Sequence, residues 1–166
     1  DLKVGEALDI QGPNGDCYYI GDQPERPLLL IGNGSGLAPL FGIARDALAA
    51  GHMGQIYLYH GSRMADGLYY MDEMRSLAQE NDNFHYVPCL SGEDAAVREA
   101  AGARDGRAEA VALADHTGLA DWRVYLCGYP PMVKSAKKLA FLAGAALADI
   151  LADSFELQDL RREPRE

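Results

Sequence analysis

The chain has 166 residues, of which 48% are hydrophobic and 24% charged, and its formal net charge is −10 at pH 7. This size and composition are typical of a single globular domain and exclude a disordered or fibrous chain. The negative charge repels nucleic acids and anionic membrane surfaces, so nucleic acid is not an expected partner. No apolar run approaches the roughly 20 residues of a membrane-spanning helix, and membrane insertion is not expected.

The cysteines and histidines form no recognisable framework. Cys17, Cys89 and Cys127 are odd in number and widely spaced, which predicts neither a disulfide scaffold nor a thiolate metal cluster. The four histidines lack metal-ligand spacing, so no metal site is expected. This cysteine usage favours a reducing, cytoplasmic location. The chain begins with Asp1, not Met, which suggests that it is cut from something longer.

The first residues predict a β-hairpin with no domain around it. Residues 7–11 and 16–20 alternate as strands on either side of a Gly-Pro-Asn-Gly turn. A linker with prolines at positions 24 and 27 follows. We therefore place a domain boundary near Arg26.

After this boundary, strands alternate with helices. The predicted strands span residues 28–31, 55–60, 83–90, 123–127 and 147–152. The predicted helices span residues 38–50, 68–80, 93–101, 107–114 and 130–143. The first strand is wholly apolar, which is typical of a parallel sheet covered on both faces. The pattern predicts a three-layer α/β sandwich with a five-stranded parallel sheet of order 3-2-1-4-5, whose ligands bind at the carboxyl ends of the strands.

A glycine-rich turn, Gly-Asn-Gly-Ser-Gly at residues 32–36, follows the first strand and leads directly into the first helix. Glycines let the main chain approach a ligand closely, and the N–H groups at a helix start attract a pyrophosphate. The alternative interpretation is a tight strand-to-helix turn without a ligand. Glycines at every second position of a βα junction favour the phosphate site.

Two features of the ordinary dinucleotide fingerprint are missing. Leu37 stands where its third glycine would be, and the second strand ends His60-Gly61-Ser62-Arg63 without the acidic residue that accepts ribose hydroxyls. An ordinary dehydrogenase is therefore disfavoured. The turn is not a Walker loop either, because no Gly-Lys-Ser/Thr follows.

Four separated segments resemble the ferredoxin–NADP⁺ reductase superfamily, especially bacterial oxygenase reductases and the reductase subunit of the sodium-pumping quinone reductase. They are GSGLAP at 34–39, YHGSR at 59–63 with LYYMDEM at 68–74, CGYPPMV at 127–133 and ADSF at 152–155. The first is similar to the family's Gly-Thr-Gly-Ile-Ala-Pro element. The third is similar to its Cys-Gly-Pro-Pro-Met element, with Tyr129 placed between Gly and Pro.

The resemblance implies the NAD(P)H-binding domain of an FAD-dependent oxidoreductase, in which hydride passes from NAD(P)H to flavin and electrons continue to an iron–sulfur or oxygenase partner. It divides the chain into a remnant of the FAD-binding barrel with its linker (1–26), the NAD(P)H-binding domain (27–155) and a charged tail (156–166). The family's Arg-x-Tyr-Ser/Thr flavin element is absent from this sequence. FAD is therefore expected in the full-length protein, and the isolated chain is expected only to bind dinucleotide.

The resemblance also assigns site residues. The pyrophosphate would lie on Gly34, Ser35, Gly36, Leu37, Ala38 and Pro39, and the adenosine ribose on Gly61, Ser62 and Arg63. The nicotinamide end would lie near Cys127, Gly128, Pro131 and Met132, with Phe155 near the flavin. Cys127 is the candidate catalytic residue, beside the hydride-transfer carbon and not as a nucleophile. Arg63 suits a 2′-phosphate, yet no second basic residue follows before Arg75, which leans the choice toward NADH.

Alternatives remain open. A module that senses dinucleotide without turnover has the same sequence features, because a fold and a binding site do not establish catalysis. Cys127 and Phe155 are also consistent with ordinary packing residues, and Arg63 with a solvated loop arginine. The lysines at 134, 137 and 138 are consistent with a solvated helix face or a docking patch for an acidic electron-transfer partner.

Overall fold

The structure is a computed structural model that describes residues 3–7, 9 and 17–155. Its strands are β1 (Leu28–Asn33), β2 (Ile56–Ser62), β3 (Phe84–Leu90), β4 (Arg104–Asp105), β5 (Arg123–Gly128) and β6 (Ile150–Ser154). Its α-helices are α1 (Leu37–Ala49), α2 (Met71–Glu80), α3 (Ala95–Ala101), α4 (Ala108–Asp115) and α5 (Pro130–Leu142). Three short 3₁₀ turns lie at Gly34–Gly36, Ala65–Gly67 and Leu147–Asp149.

The strands form one parallel sheet in the order β4-β3-β2-β1-β5-β6. The predicted α/β class and the predicted order of the five longer strands are confirmed. The predicted count of five is wrong, because the two-residue β4 adds a sixth strand beside Cys89 and Leu90. Gly102 ends α3 in the left-handed conformation (φ 61°) and turns the chain back toward the sheet edge. So short a strand carries no alternating pattern that a sequence could display.

The sheet separates two hydrophobic cores, because successive side chains of a strand point to opposite faces. Leu29 and Leu126 belong to the core beneath α4 and α5. Leu30 and Cys127 belong to the core beneath α1 and α2. The first four residues of β1 are at most 1% exposed, as their uninterrupted apolar sequence predicts.

Three predicted boundaries shift for local reasons. Helix α2 begins at Met71, not at residue 68, because Tyr70 adopts the left-handed conformation (φ 58°). Helix α3 begins after Asp94, whose carboxylate accepts the N–H of Val97 and caps the helix. The last strand begins at Ile150, since a 3₁₀ turn precedes it.

The predicted N-terminal hairpin is wrong in the part that can be compared. Residues 8 and 10–16 lie outside the described residues, as does the predicted tail at 156–166. Residues 17–20 are described and form no strand. The N–H of Ile20 donates to the hydroxyl of Tyr125, and its carbonyl accepts from Arg123. Side chains thus satisfy the polar groups that a strand partner would have bonded.

None of the helices in the described ranges combines the length and the apolar character needed to cross a bilayer.

An ion-pair network closes the amino end of the sheet. The Arg26 guanidinium donates a hydrogen bond to Oδ1 of Asp149 at 2.6 Å, and its Nη2 lies 2.6 Å from Oδ2. It also donates to the main-chain carbonyls of Asp121 and Trp122. Arg123 pairs with Asp22 at 2.7 Å and lies 3.7 Å from Asp149. These bonds fasten the segment ahead of β1 to the sheet, at the end opposite the candidate site.

We expect Asp149→Asn to lower the free energy of unfolding near neutral pH by about 1–3 kcal/mol, because the partly buried Arg26 loses its charged partner. The hydrogen bond from Arg26 holds the pKa of Asp149 below its ordinary value of 3.8. A lowered folded-state pKa contributes stability that is present above 3.8 and is lost as the pH falls through the folded-state pKa. Urea unfolding should therefore be measured from neutral to acidic pH. Below pH 3.8, the free energy of unfolding should fall less steeply in the variant than in the parent.

Asp72→Asn is the matched control. The Asp72 side chain is 94% exposed and lies 3.7 Å from Arg75, so its removal should leave the free energy of unfolding unchanged. Equal losses in the two variants would contradict a structural role for the Arg26–Asp149 pair.

Candidate functional site

A cleft of about 440 Å³ opens at the carboxyl ends of the central strands. The ends of β1, β2 and β3 form its floor, and the first turns of α4 and α5 form its walls. The lining residues are Asn33, Gly34, Gly61, Ser62, Arg63, Ser91, Arg107, Ala108, Glu109, Tyr129, Pro131, Met132 and Ser135. This is the edge at which parallel sheets of this topology bind ligands.

The glycine turn brings the start of α1 against the end of β5. Gly36 is buried, and a Cβ built on it would overlap the main-chain carbonyl of Cys127. Gly34 has a positive φ of 51° with no atom near its missing Cβ, so its main chain is open to a ligand. The N–H of Leu37 bonds the carbonyls of the preceding 3₁₀ turn, and Pro39 has no N–H. Ala38 is therefore the first-turn residue of α1 whose N–H points along the positive end of the helix dipole without an acceptor within the helix.

Asn33 joins the ends of β1 and β5. Its Oδ1 accepts the N–H of Tyr129 at 2.9 Å. Gly128 has a φ of 123°, and a Cβ built there would overlap Oδ1 of Asn33. Only glycine fits both the conformation and the space at this position. Sequence reasoning missed Asn33, although its place inside the glycine turn could have suggested a bridging role.

Tyr69 packs over the glycine turn, a role that sequence analysis left unassigned. Its hydroxyl donates to the Gly34 carbonyl at 2.8 Å, and burial raises its pKa. The ring of His60 meets Tyr69 edge-on at 5.5 Å. Burial lowers the pKa of His60 to about 4, so this imidazole is neutral near pH 7 and adds no charge behind the turn.

The end of β2 presents the predicted ribose residues to the cleft. Gly61 lets the first residue of α4 approach closely, because a Cβ on Gly61 would lie 2.9 Å from the Cβ of Ala108. The Ser62 hydroxyl donates to the Met64 carbonyl at 2.7 Å, which leaves its lone pairs as acceptors. Arg63 is exposed and crosses over Gly92. Its guanidinium is therefore accessible to an anion.

The start of α4 adds two charged residues that sequence reasoning missed. Arg107 is exposed, whereas Glu109 is only 7% exposed, and both line the cleft. Gly102 and Gly106 lie just before α4, and they made the start of this helix hard to place from the sequence. A charged residue buried at a helix start is the signal that points to such a site, and burial is not visible in one sequence.

The structure divides the predicted site residues into two groups. The cleft lining includes Gly34, Gly61, Ser62, Arg63, Pro131 and Met132. The others stand behind it or beside it, namely Ser35, Gly36, Leu37, Ala38, Pro39, Cys127, Gly128 and Phe155. Cys127 is fully buried in the core beneath α1, with its Sγ 3.5 Å from that of Cys17. The N–H of Phe155 donates to the Gly128 carbonyl at 2.9 Å, which fixes the end of β6 beside the end of β5.

No group of three or more His, Cys, Asp or Glu side chains within residues 3–7, 9 and 17–155 is placed to hold a metal ion.

Comparison with known proteins identifies this architecture. Residues 30–138 match the family model described as "Oxidoreductase NAD-binding domain". The chain belongs to this family. It is 37% identical over 140 residues to the reductase subunit of an aromatic O-demethylase from an Amycolatopsis strain, covering 82% of this chain and 40% of that protein. It is 34% identical over 155 residues to the ferredoxin–NAD(P)⁺ reductase component of naphthalene 1,2-dioxygenase/salicylate 5-hydroxylase systems from a Ralstonia species, covering 93% and 46%.

A solved structure shows the same fold. The crystal structure of the Amycolatopsis cytochrome P450 reductase GcoB superimposes with a TM-score of 0.78 at 33% identity, covering 92% of this chain and 46% of that one. The resemblance to ferredoxin reductases of oxygenase systems is therefore confirmed for the dinucleotide-binding domain. This chain spans less than half the length of each of these relatives.

The packing of Gly36 gives a direct test of the site's architecture. We expect Gly36→Ala to lower the free energy of unfolding by about 1–3 kcal/mol, because the added methyl group overlaps the Cys127 carbonyl and pushes α1 away from β5. Chemical denaturation measures this loss.

Gly42→Ala is the matched control. Gly42 lies inside α1 with no atom near its missing Cβ, so alanine should stabilise the helix by about 0.5–1 kcal/mol. If Gly36→Ala and Gly42→Ala change the free energy of unfolding in the same direction, the contact of Gly36 with Cys127 does not constrain the turn.

Proposed function

We propose that this cleft binds NAD(P)H, and that the chain is the dinucleotide-binding part of an FAD-dependent reductase that supplies electrons to a partner protein. The observation that carries the proposal is the Gly36–Cys127 contact, which brings the phosphate-attracting start of α1 and the end of β5 to one edge of the sheet. The relatives named as reductase components of oxygenase systems support it.

The pyrophosphate is assigned to the glycine turn. The start of α1 offers the main-chain N–H of Ala38 and a partial positive charge. Gly34, with its positive φ and no side chain, lets a phosphate approach the main chain. The exposed guanidiniums of Arg63 and Arg107 add positive charge to the same cleft in a chain whose net charge is −10.

The adenosine ribose is assigned to the end of β2. Ser62 offers acceptor lone pairs and Arg63 offers donors, a pair that suits ribose hydroxyls. The sequence argument for NADH was the lack of a second basic residue, and Arg107 supplies one in space. Glu109 lies two residues further and lines the same cleft. Its carboxylate offsets the charge of Arg107 and disfavours a 2′-phosphate, so we retain NADH as the preferred nucleotide.

The nicotinamide end is assigned to the start of α5, where Pro131 and Met132 form one wall of the cleft. Hydride transfer from a reduced nicotinamide to FAD is the chemistry that the two cofactors supply when bound, and the protein supplies orientation. Gly128 and Tyr129, held by Asn33, set the main chain against which the ring would lie. Cys127 is assigned a role through its main chain, which lies against Gly36, because its side chain packs in the core on the α1 side of the sheet and away from this wall.

We also propose that the chain has two functional parts. Residues 27–155 are the dinucleotide-binding domain. The segment ahead of residue 27 belongs to the flavin-binding part, whose end lies against the sheet through Arg26 and Asp22. FAD-dependent dye reduction by NADH in a longer chain that includes the flavin-binding part tests this arrangement. Binding of NADH without turnover in that longer chain would favour a sensing module instead.

Arg63 provides the test of dinucleotide binding. We expect Arg63→Gln to weaken NADH binding about tenfold or more, because a charge-assisted hydrogen bond contributes roughly 1.5–3 kcal/mol. Titration calorimetry on the folded chain measures the dissociation constant for NADH, and a parallel NADPH titration measures the preference between the two.

Arg45→Gln is the control, since it makes the same charge change on α1, where Arg45 lies over the ring of Phe41 and away from the cleft. Its NADH affinity should stay within about twofold of the parent. A parent chain that binds neither nucleotide, or equal weakening by both substitutions, would refute the proposed site.

A further inference from the structure

Two cysteines far apart in sequence meet beside the end of β5. The Sγ atoms of Cys17 and Cys127 lie 3.5 Å apart, across a separation of 110 residues. Cys127 is fixed within β5 and fully buried. Cys17 is half-buried and lies in the segment ahead of β1, outside any helix or strand.

We propose that Cys17 and Cys127 form a redox modification site, in which a peroxide oxidises the pair to a disulfide that ties the segment ahead of β1 to the end of β5. The pair lies on the α1 side of the sheet, whereas Met132 in the α5 wall of the cleft packs on the opposite face. The inference therefore does not depend on dinucleotide binding.

The geometry requires only a small movement. The sulfurs of a disulfide lie about 2.05 Å apart, so closure brings the two atoms together by about 1.5 Å. Cys127 is held by the hydrogen bonds of a central strand, with β1 and β6 on either side. Cys17 lies outside the helices and strands of the described residues, and its side chain is the partner that moves.

The two thiols are not equivalent. The two thiols lie within hydrogen-bond distance of each other, and this interaction lowers the pKa of the Cys17 thiol. The same interaction and burial raise the pKa of Cys127. Cys17 is also the more exposed of the two. Cys17 is therefore the thiolate that attacks, because reactivity follows thiolate character and access.

The reaction balances with one peroxide. The Cys17 thiolate attacks one oxygen of hydrogen peroxide, the O–O bond breaks, and Cys17 becomes a sulfenic acid while hydroxide leaves and takes up the proton that Cys17 lost on ionisation, giving one water. The Cys127 sulfur then attacks Sγ of Cys17, the S–O bond breaks, and a second water leaves with the Cys127 proton. The two thiols lose two electrons in total, and the peroxide gains them.

Cys89 is an internal reference. It is fully buried, its thiol donates to the Val87 carbonyl, and burial raises its pKa to about 12. It packs beneath α4, on the opposite face of the sheet from Cys127. Its thiol should therefore survive treatment that oxidises the pair.

The experiment treats the folded, fully reduced chain with hydrogen peroxide and counts thiols after denaturation. The count should fall from three to one, and the intact mass should fall by two hydrogen atoms. Peptide mapping should link Cys17 to Cys127, and dithiothreitol should restore all three thiols. Cys89→Ser should still form the link. Cys17→Ser should form no intramolecular disulfide, and its Cys127 should oxidise about tenfold more slowly than in the parent.

Peptide mapping also shows the results that would contradict the proposal. A link involving Cys89, or stable over-oxidation of Cys17 without a link to Cys127, would overturn the proposal. The same result from peroxide treatment in urea as in buffer would also overturn it, because the link would then not depend on folded proximity. If Cys17→Ser does not fold, the parent and Cys89→Ser maps still decide the outcome.

Discussion

The candidate site depends on the close approach of two main-chain segments at the carboxyl edge of the sheet. Gly36 lies against the Cys127 carbonyl, and Gly128 lies against Asn33. A side chain at Gly36 would push α1 away from β5, and one at Gly128 would push the end of β5 away from Asn33 at the end of β1. The cleft walls are set by the same contacts, because α5 begins two residues after Gly128 and takes its direction from the bond between Asn33 and Tyr129. The site is thus a consequence of strand packing.

Local electrostatics oppose the charge of the whole chain. The net charge of −10 repels anions at long range. Within the cleft, the helix starts and the two arginines present positive charge at short range, where a dinucleotide's phosphates would bind. The neutral His60 behind the glycine turn adds no charge, and the acidic Glu109 lines the same cleft as the two arginines. This balance fits one diphosphate better than a more highly charged polyanion.

Much of the fold is predictable because it rests on local patterns. The apolar run of β1 and the glycines after it predict a buried parallel strand and a tight turn, and both are present. Strand β4 is not predictable, because two exposed residues, Arg104 and Asp105, pair only through the main chain. The strand predicted to end at Ile20 is wrong, since the side chains of Tyr125 and Arg123 in β5 bond the main-chain N–H and carbonyl of Ile20. Arg107 and Glu109 line the cleft because the packing of α4 on the sheet places them there, and this packing is not visible in the sequence.

The most direct test of the account is an NMR titration of the ¹⁵N-labelled chain with NADH. We expect amide shift changes concentrated at residues 33–38, 61–63, 128, 129 and 132, where the three predicted site segments meet at one edge. The amides of α3 and of the Arg45 region should stay unchanged. Saturable changes confined to those remote regions, with none in the three segments, would contradict the central claim.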